Sequence, residues 1–417
     1  MSRLDSRSAW QIARYVGVYR AAAPCRAAFG RIRCVPEPPR LTTVLREWGR
    51  IGCIGFGGPP THIKLLRQLC VERRGWIDAT EFEDAIAACN LLPGPASTQL
   101  AIFCAWRLRG RRGALIGGSA FIVPGLIVIL ALAALFFTSA PPRWVLGAGA
   151  GAGAAVAAVA VHAGLGLAPS SWARRNHHVR WVGYLVAGGV AAATIGPWLV
   201  LVLLGCGLAE VAAEYAGTFR AGDRAVNALP LLAASTVTGG TLLSLAWVAF
   251  KVGALSYGGG FVIIPLMQAD AVDRYHWMSG TQFLNAVALG QITPGPVVQT
   301  VAVVGYAAAG LGGGLLAAAV AFAPSFGFVL LGADRFDRIR TDRRARAFLD
   351  GAGPAAIGAI LGSAVPLARA LSEPWQYAVL AVAAIALLAL RRGVVLTLLA
   401  AAVAGIVLTG AGLALPH

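Results

Sequence analysis

The chain has 417 residues, 58% of them hydrophobic and 13% charged, with a mean hydropathy of +0.71 and a formal net charge of +17. A soluble globular domain carries about 25% charged residues, so that class is excluded, and so much apolar content excludes disorder. A basic soluble protein would suggest nucleic acid, but here the basic residues sit in short clusters between apolar runs, the pattern that holds cytoplasmic loops against anionic lipid.

Residues 1–40 read as an Arg-rich cytoplasmic arm ending in a Pro-rich joint, Pro36 to Pro39. The arm lacks the short apolar core and small-residue cleavage site of a secretory leader. Long stretches without formal charge follow: Gly113 to Pro142, Trp144 to Ala173, Trp181 to Ala209 and Tyr275 to Ala333. A membrane span needs about 20 mostly apolar residues. Spans are read over 51–66, 85–106, 114–137, 145–168 and 181–209, the last as one or two. The remainder are 240–269, 283–308, 314–333, 351–369, 375–390 and 393–412, giving ten to twelve in all. The expected fold is an all-α polytopic membrane protein. Seven cysteines without a Cys-x-x-Cys pair, and without histidines at ligand spacing, give no support to a metal or other cofactor.

An internal repeat organises the chain. Arg50-Ile-Gly-Cys-Ile-Gly-Phe-Gly-Gly58 matches Lys251-Val-Gly-Ala-Leu-Ser-Tyr-Gly-Gly259 at an offset of 201. The same offset pairs Glu72 with Asp273, Arg73 with Arg274, Trp76 with Trp277, Phe82 with Phe283, and Pro93-Gly94-Pro95 with Pro294-Gly295-Pro296. Two homologous halves are expected, 41–225 and 226–417. In the first half the Pro-Gly-Pro segment is followed by Arg107, Arg109, Arg111 and Arg112; the equivalent turn of the second half, Ala309 to Gly314, has no charge. The second basic cluster, Arg335 to Arg346, comes one span later. By the positive-inside rule equivalent turns then lie on opposite sides, so the expected repeats have inverted topology. A parallel duplication with drifted loop charges is the competing reading.

The repeated motifs suggest broken helices. Gly57-Gly58-Pro59-Pro60 and Gly258-Gly259-Gly260 disfavour continuous helix, and Pro95 and Pro296 suit the first turn of a new one. A helix start inside the membrane offers unpaired N–H groups and the positive end of the helix dipole, a ready anion site. Ser97, Thr98 and Gln99 follow the first Pro-Gly-Pro, and Gln299 and Thr300 the second. Arg50 and Lys251 are equivalent cations that either meet an anionic substrate or anchor at the interface. His62 is a candidate anion or proton contact, or a plain polar packing group. Asp78, Glu81, Glu83 and Asp84 are candidates for proton coupling, with a solvated loop face as the alternative.

These residues resemble the chromate ion transporter family. The resemblance rests on Phe56-Gly-Gly-Pro59 with His62, Glu72-Arg-x-x-Trp76 and Leu92-Pro-Gly-Pro-Ala-Ser-Thr-Gln99. In the second half it rests on Phe250-Lys-Val-Gly253, Gly258-Gly-Gly260 with Ile264-Pro-Leu266, and Gly290-Gln-Ile-Thr-Pro-Gly-Pro296. It covers both halves and matches the long, two-domain members. It implies a multi-pass protein of the bacterial inner membrane that exports chromate and confers chromate resistance. It also implies sulfate as competing dianion and the proton motive force as driver, with antiport as one mode and the membrane potential alone as the alternative driver. Tyr257 departs from the family's usual Phe. The site residues carried over are Arg50, Gly57, Gly58, Pro59, His62, Pro93, Gly94, Pro95 and Gln99, with Lys251, Gly258, Gly259, Pro294, Gly295 and Pro296. The reading of the residues adds Ser97, Gly260 and Gln299. The expected partners are chromate, protons, anionic lipid and a second copy of the chain. An importer of sulfate or another oxyanion, an anion channel, and a membrane enzyme acting on lipid phosphates are the alternatives. The last lacks a Ser/His/Asp or paired-carboxylate arrangement.

Overall fold

The computed structural model describes residues 38–92, 94–138, 140–173, 177–194, 199–215, 240–256, 263–332 and 342–416. The arm before residue 38, Pro93, the join around residue 225, the triplet Gly258 to Gly260 and the basic residues Arg335, Arg338 and Arg340 lie outside them. Every regular element among the described residues is helical. Among the described residues, four stretches are long and apolar enough to cross a membrane: Ala96–Phe136, Arg143–Ala173, Val297–Gly332 and Arg346–Arg369. The chain is thus a multi-pass, all-α membrane protein.

The first half opens with α1 (Leu41–Ile54) and α2 (Pro59–Arg67), the latter prolonged by a π-helical turn, Gln68–Arg73. The stretch 51–66, read above as one span, is therefore the end of one helix, a turn and most of another. The turn exists because Gly57 and Gly58 take φ of +93° and +77°, left-handed values that side chains avoid, and two prolines then start α2. Next come α3 (Ala79–Leu91) and α4 (Ala96–Phe136), with Leu92 to Pro95 between them. The stretch 85–106 likewise divides at this point. Gly94 has φ +117° there.

Helix α4 is not one rod. Arg109 and Gly110 leave helical geometry, and Gly110 has φ +59°. The chain doubles back: a Cβ on Gly113 would lie 2.2 Å from the Ala105 carbonyl oxygen, and one on Gly117 would lie 2.4 Å from the Ala105 Cβ. Segments 96–108 and 111–136 therefore form a close antiparallel pair that glycine alone permits. Helix α1 packs along the second segment, with Gly52 on the Phe121 carbonyl and Trp48 beside Gly117. The Trp48 indole N–H donates to the Ala101 carbonyl at 2.8 Å.

Helices α5 (Arg143–Ala154), α6 (Val156–Ala173), α7 (His178–Thr194) and α8 (Leu199–Tyr215) complete the first half. Glu210, at the edge of the polar join, belongs to α8 and is buried, accepting from Arg180 at 3.1 Å and the Tyr184 hydroxyl at 3.0 Å.

The second half has α9 (Thr241–Leu255), then α10 (Ile263–Gln268) with its π-helical turn Ala269–Arg274, then α11 (Gly280–Ile292). A 3-10 turn, Val297–Gln299, leads into α12 (Thr300–Gly332), followed by α13 (Arg343–Arg369), α14 (Pro374–Ala384) and α15 (Val394–Gly410). The two π-helical turns, and α3 with α11, stand 201 residues apart at both ends. The doubling-back recurs at Ala309 and Gly310, 200 residues after Arg109 and Gly110, with Gly305 against Gly313.

Packing crosses between the halves. Helix α4 lies against α12. Helices α7 and α8 of the first half pack on α13 of the second, while α15 packs on α5. Glycine makes these contacts close. A Cβ on Gly358 of α13 would lie 1.8 Å from the Leu185 carbonyl of α7, and one on Gly405 of α15 would lie 2.1 Å from the Gly147 carbonyl of α5. In lipid, where apolar burial adds little between helices, such backbone contact supplies the association.

Candidate functional site

Ion pairs show how the first-half helices are arranged. Glu81, in the first turn of α3, is bonded by Arg107 at the end of segment 96–108. Helix α3 and that segment therefore start and finish at the same level, with Leu92 to Pro95 at the far tip. Each arm has 13 residues and is about 20 Å long, some two-thirds of the roughly 30 Å hydrocarbon core. Arg67 of α2 bonds Glu83 of α3 and lies 3.8 Å from Glu72, and Arg74 bonds Glu47 of α1 at 3.1 Å. The same polar layer thus ties α1, α2, α3 and the end of segment 96–108. Asp78 accepts from the Thr80 N–H at 2.8 Å and caps α3. Of the four proton-coupling candidates, Asp78, Glu81 and Glu83 serve here as a cap and ion-pair partners.

The tips meet inside the bundle. The Gly295 N–H of the second half donates to the Gly55 carbonyl of the first at 3.0 Å. His62 also reaches that carbonyl through Nε2 at 2.9 Å. A carbonyl only accepts, so Nε2 carries a proton, and Nδ1 lies 3.3 Å from the Ser97 hydroxyl. Gly94 faces the Gly253 carbonyl and the Ser325 hydroxyl, each 3.4 Å from where its Cβ would stand. Gly125 faces the Pro294 carbonyl. The residue after a mid-helix proline, Gly125 after Pro124 and Ser325 after Pro324, thus packs on the Pro-Gly-Pro turn of the other half.

The side chains around the tips are polar, neutral and buried. His62, Ser97, Thr98, Gln99, Ser256, Gln299 and Ser325 are each at most 2% exposed. Gln299 donates to the Ile122 carbonyl of the other half at 2.7 Å. Among the described residues, the Thr98, Ser256 and Ser325 hydroxyls and the Gln299 Oε1 have no hydrogen-bond partner. Buried polar atoms are ordinarily satisfied, so these atoms are candidates for contact with a bound group. The starts of α3 and α11 are capped by Asp78 and Ser279, whereas Pro95 and Pro296 give α4 and the 3-10 turn no side-chain cap, as is also true of the starts of α1, α5, α9 and α15.

The structure brings together most of the residues singled out above: Gly58, His62, Gly94, Pro95, Ser97, Gln99, Pro294, Gly295, Pro296 and Gln299 are all buried around the tips. Gly57 and Pro59 form the adjoining turn. The two cations do not share one environment. Arg50 is exposed on the outer face of α1 and has no acidic partner among the described residues. Lys251 is part-buried and bonds Asp270 at 2.5 Å. The sequence reading missed Ser256, Asp270, Gly125 and Ser325. Equal spacing of Pro124 and Pro324 was a usable signal for the last two; Asp270 shows only as one acid at the edge of an apolar run.

A polytopic helical protein with buried polar turns meeting inside its bundle has the anatomy of a membrane transport protein. The family profile described as Chromate transporter matches residues 42–211 and 243–406, and the chain belongs to that family. A chromate transport protein of Cupriavidus metallidurans is 34% identical over 370 residues, covering 88% of this chain and 92% of the relative. A chromate transport protein of Pseudomonas aeruginosa is 29% identical, covering 84% and 86%. A probable chromate transport protein of Synechococcus elongatus is 28% identical, covering 77% and 82%. No solved structure matches.

Proposed function

We propose that this protein is a secondary carrier that exports chromate from the cytoplasm across the bacterial inner membrane. The observation that carries the reading is the enclosed polar layer at the tips. Its hydroxyls, its amides and two capless helix starts are hydrogen-bond donors at the middle of an apolar bundle. Such donors suit a tetrahedral oxyanion, and the dipoles of the two helix starts offset part of its charge. Around it stand Gly58, His62, Gly94, Pro95, Ser97 and Gln99 from the first half, with the adjoining turn Gly57 and Pro59, and Pro294, Gly295, Pro296 and Gln299 from the second. Pro93, Gly258, Gly259 and Gly260 lie outside the described residues and join the proposed site on their motifs alone. Arg50 and Lys251 supply positive charge on approach. Sulfate, of the same shape and charge, competes.

The halves 41–225 and 226–417 act as inverted repeats. Helix boundaries recurring at 200 or 201 residues support the repeat, and the basic Arg107 to Arg112 against the uncharged Ala309 to Gly314 supports the inversion. The hairpins of each half then enter from opposite faces and break at the Gly-Gly and Pro-Gly-Pro turns. Rocking one half against the other exposes the layer to each side in turn. The membrane potential, negative inside, favours anion export by about 2.3 kcal/mol per charge per 100 mV.

Everted vesicles from cells expressing the protein test the reading. They are expected to accumulate radiolabelled chromate against its gradient when energised, with sulfate competing. Uptake that does not saturate with chromate and is not accelerated by sulfate loaded inside the vesicles would identify a channel, and accumulation of sulfate but not chromate would overturn the substrate.

A further inference from the structure

The Lys251–Asp270 pair is not explained by packing. Lys251 Nζ lies 2.5 Å from Asp270 Oδ2, and the side chains are 17% and 3% exposed. The second carboxylate oxygen, Oδ1, is buried without a hydrogen-bond partner among the described residues. Removing two charges from water costs more than a single contact returns unless the remaining lone pairs are also satisfied, and here they are not. The pair has no counterpart in the first half, where Leu69 stands at the place of Asp270.

The pair stands close to the polar layer. Lys251 is five residues before the buried Ser256, a rise of about 7.5 Å along α9, and two before Gly253, whose carbonyl faces Gly94. Among the described residues, the other charged or titratable groups on the elements around Asp270 are these. Its own turn holds Asp273 and Arg274, both exposed, followed by Tyr275 and the exposed His276. Helix α11 and helix α10 contribute no ionisable side chain. Helix α13 meets α10 through an apolar cluster containing Leu266 and Ala359. Among the described residues, Lys251 is the cation bonded to Asp270.

We infer that Asp270 is an internal competitor of the oxyanion for Lys251. This rests on the carrier reading above. In the empty protein the carboxylate neutralises the ammonium. When a dianion takes the ammonium, Asp270 loses its bonded cation and faces added negative charge in a low-dielectric interior. It then binds a proton from water, becoming a neutral carboxylic acid. Each oxyanion bound therefore brings one proton onto Asp270, and the proton accompanies the anion into the bound state. Oxyanion binding tightens as pH falls and weakens as pH rises.

Equilibrium binding of radiolabelled chromate to the purified full-length protein, from neutral to alkaline pH, tests this. Wild type is expected to lose affinity by up to about tenfold per pH unit, the slope of one linked proton. Asp270→Asn should flatten that slope and bind more tightly than wild type at alkaline pH. Asp270→Glu should keep the slope, which preserves the test if the Asn variant does not fold. A flat wild-type profile, or an Asn variant that binds more weakly with the slope intact, would mean that Asp270 only staples the helices. Wild type that binds chromate with a flat slope overturns this inference alone; wild type that binds no oxyanion overturns the carrier reading as well.

Discussion

Gly125 offers a sharp test of how the two halves meet. A Cβ at this position would lie 2.0 Å from the Pro294 carbonyl oxygen and 2.6 Å from Gln299 Oε1. Comfortable contact needs more than 3 Å, so Gly125→Ala must push helix and turn apart by about 1 Å. Overpacking of this kind costs about 1–3 kcal/mol, while alanine returns up to about 1 kcal/mol of helix propensity. The expected net loss is about 1–2 kcal/mol, and the Gly295–Gly55 bond beside the turn is strained with it. Gly327→Ala is the control: it lies in α12, and nothing stands within 4 Å of its added Cβ. Thermal melting of the detergent-solubilised proteins and chromate accumulation in expressing cells read the outcome. Gly125→Ala should melt several degrees lower and lose most export, while Gly327→Ala should match wild type or exceed it in stability. Wild-type melting and export in Gly125→Ala would refute the cross-half packing argued above.

Three further outcomes are expected. Substituting Gly358 by alanine should destabilise the α7–α13 contact, because the new Cβ would meet the Leu185 carbonyl at 1.8 Å; Gly183→Ala, with open space around it, should be neutral by the same melting assay. A double-mutant cycle on Glu81 and Arg107, both about 30% exposed, should give a coupling of no more than about 1 kcal/mol; a larger value would make that pair a gate rather than a tether. Inverted repeats predict that, in a background without accessible cysteines, Arg111→Cys is shielded from an impermeant maleimide in intact cells while Leu311→Cys is labelled. Labelling both from the same side would show a parallel duplication.

Reading the chain alone reached far because its strongest signals are local. Charge-free runs, arginine clusters and glycine–proline punctuation act through solvation and backbone sterics, which need no knowledge of the fold. The motif positions Gly94 and Gly295 do carry left-handed φ, as a turn between helices requires. Span lengths were less legible. Apolar composition cannot distinguish a helix that crosses from two arms that meet at a turn, and it took the Glu81–Arg107 pair to bring the ends of α3 and segment 96–108 to one level.

The sequence by itself determined the membrane class and displayed the 201-residue spacing of its glycine–proline motifs, since each depends on residue type and spacing. Only the tertiary structure decided which groups meet. It placed the Gly295 N–H on the Gly55 carbonyl and Gly125 on Pro294, contacts between halves that no local rule specifies. It also separated two cations that the repeat makes equivalent. Arg50 stands exposed and Lys251 lies bonded to Asp270, because the partner of a buried charge is chosen by the neighbouring helix.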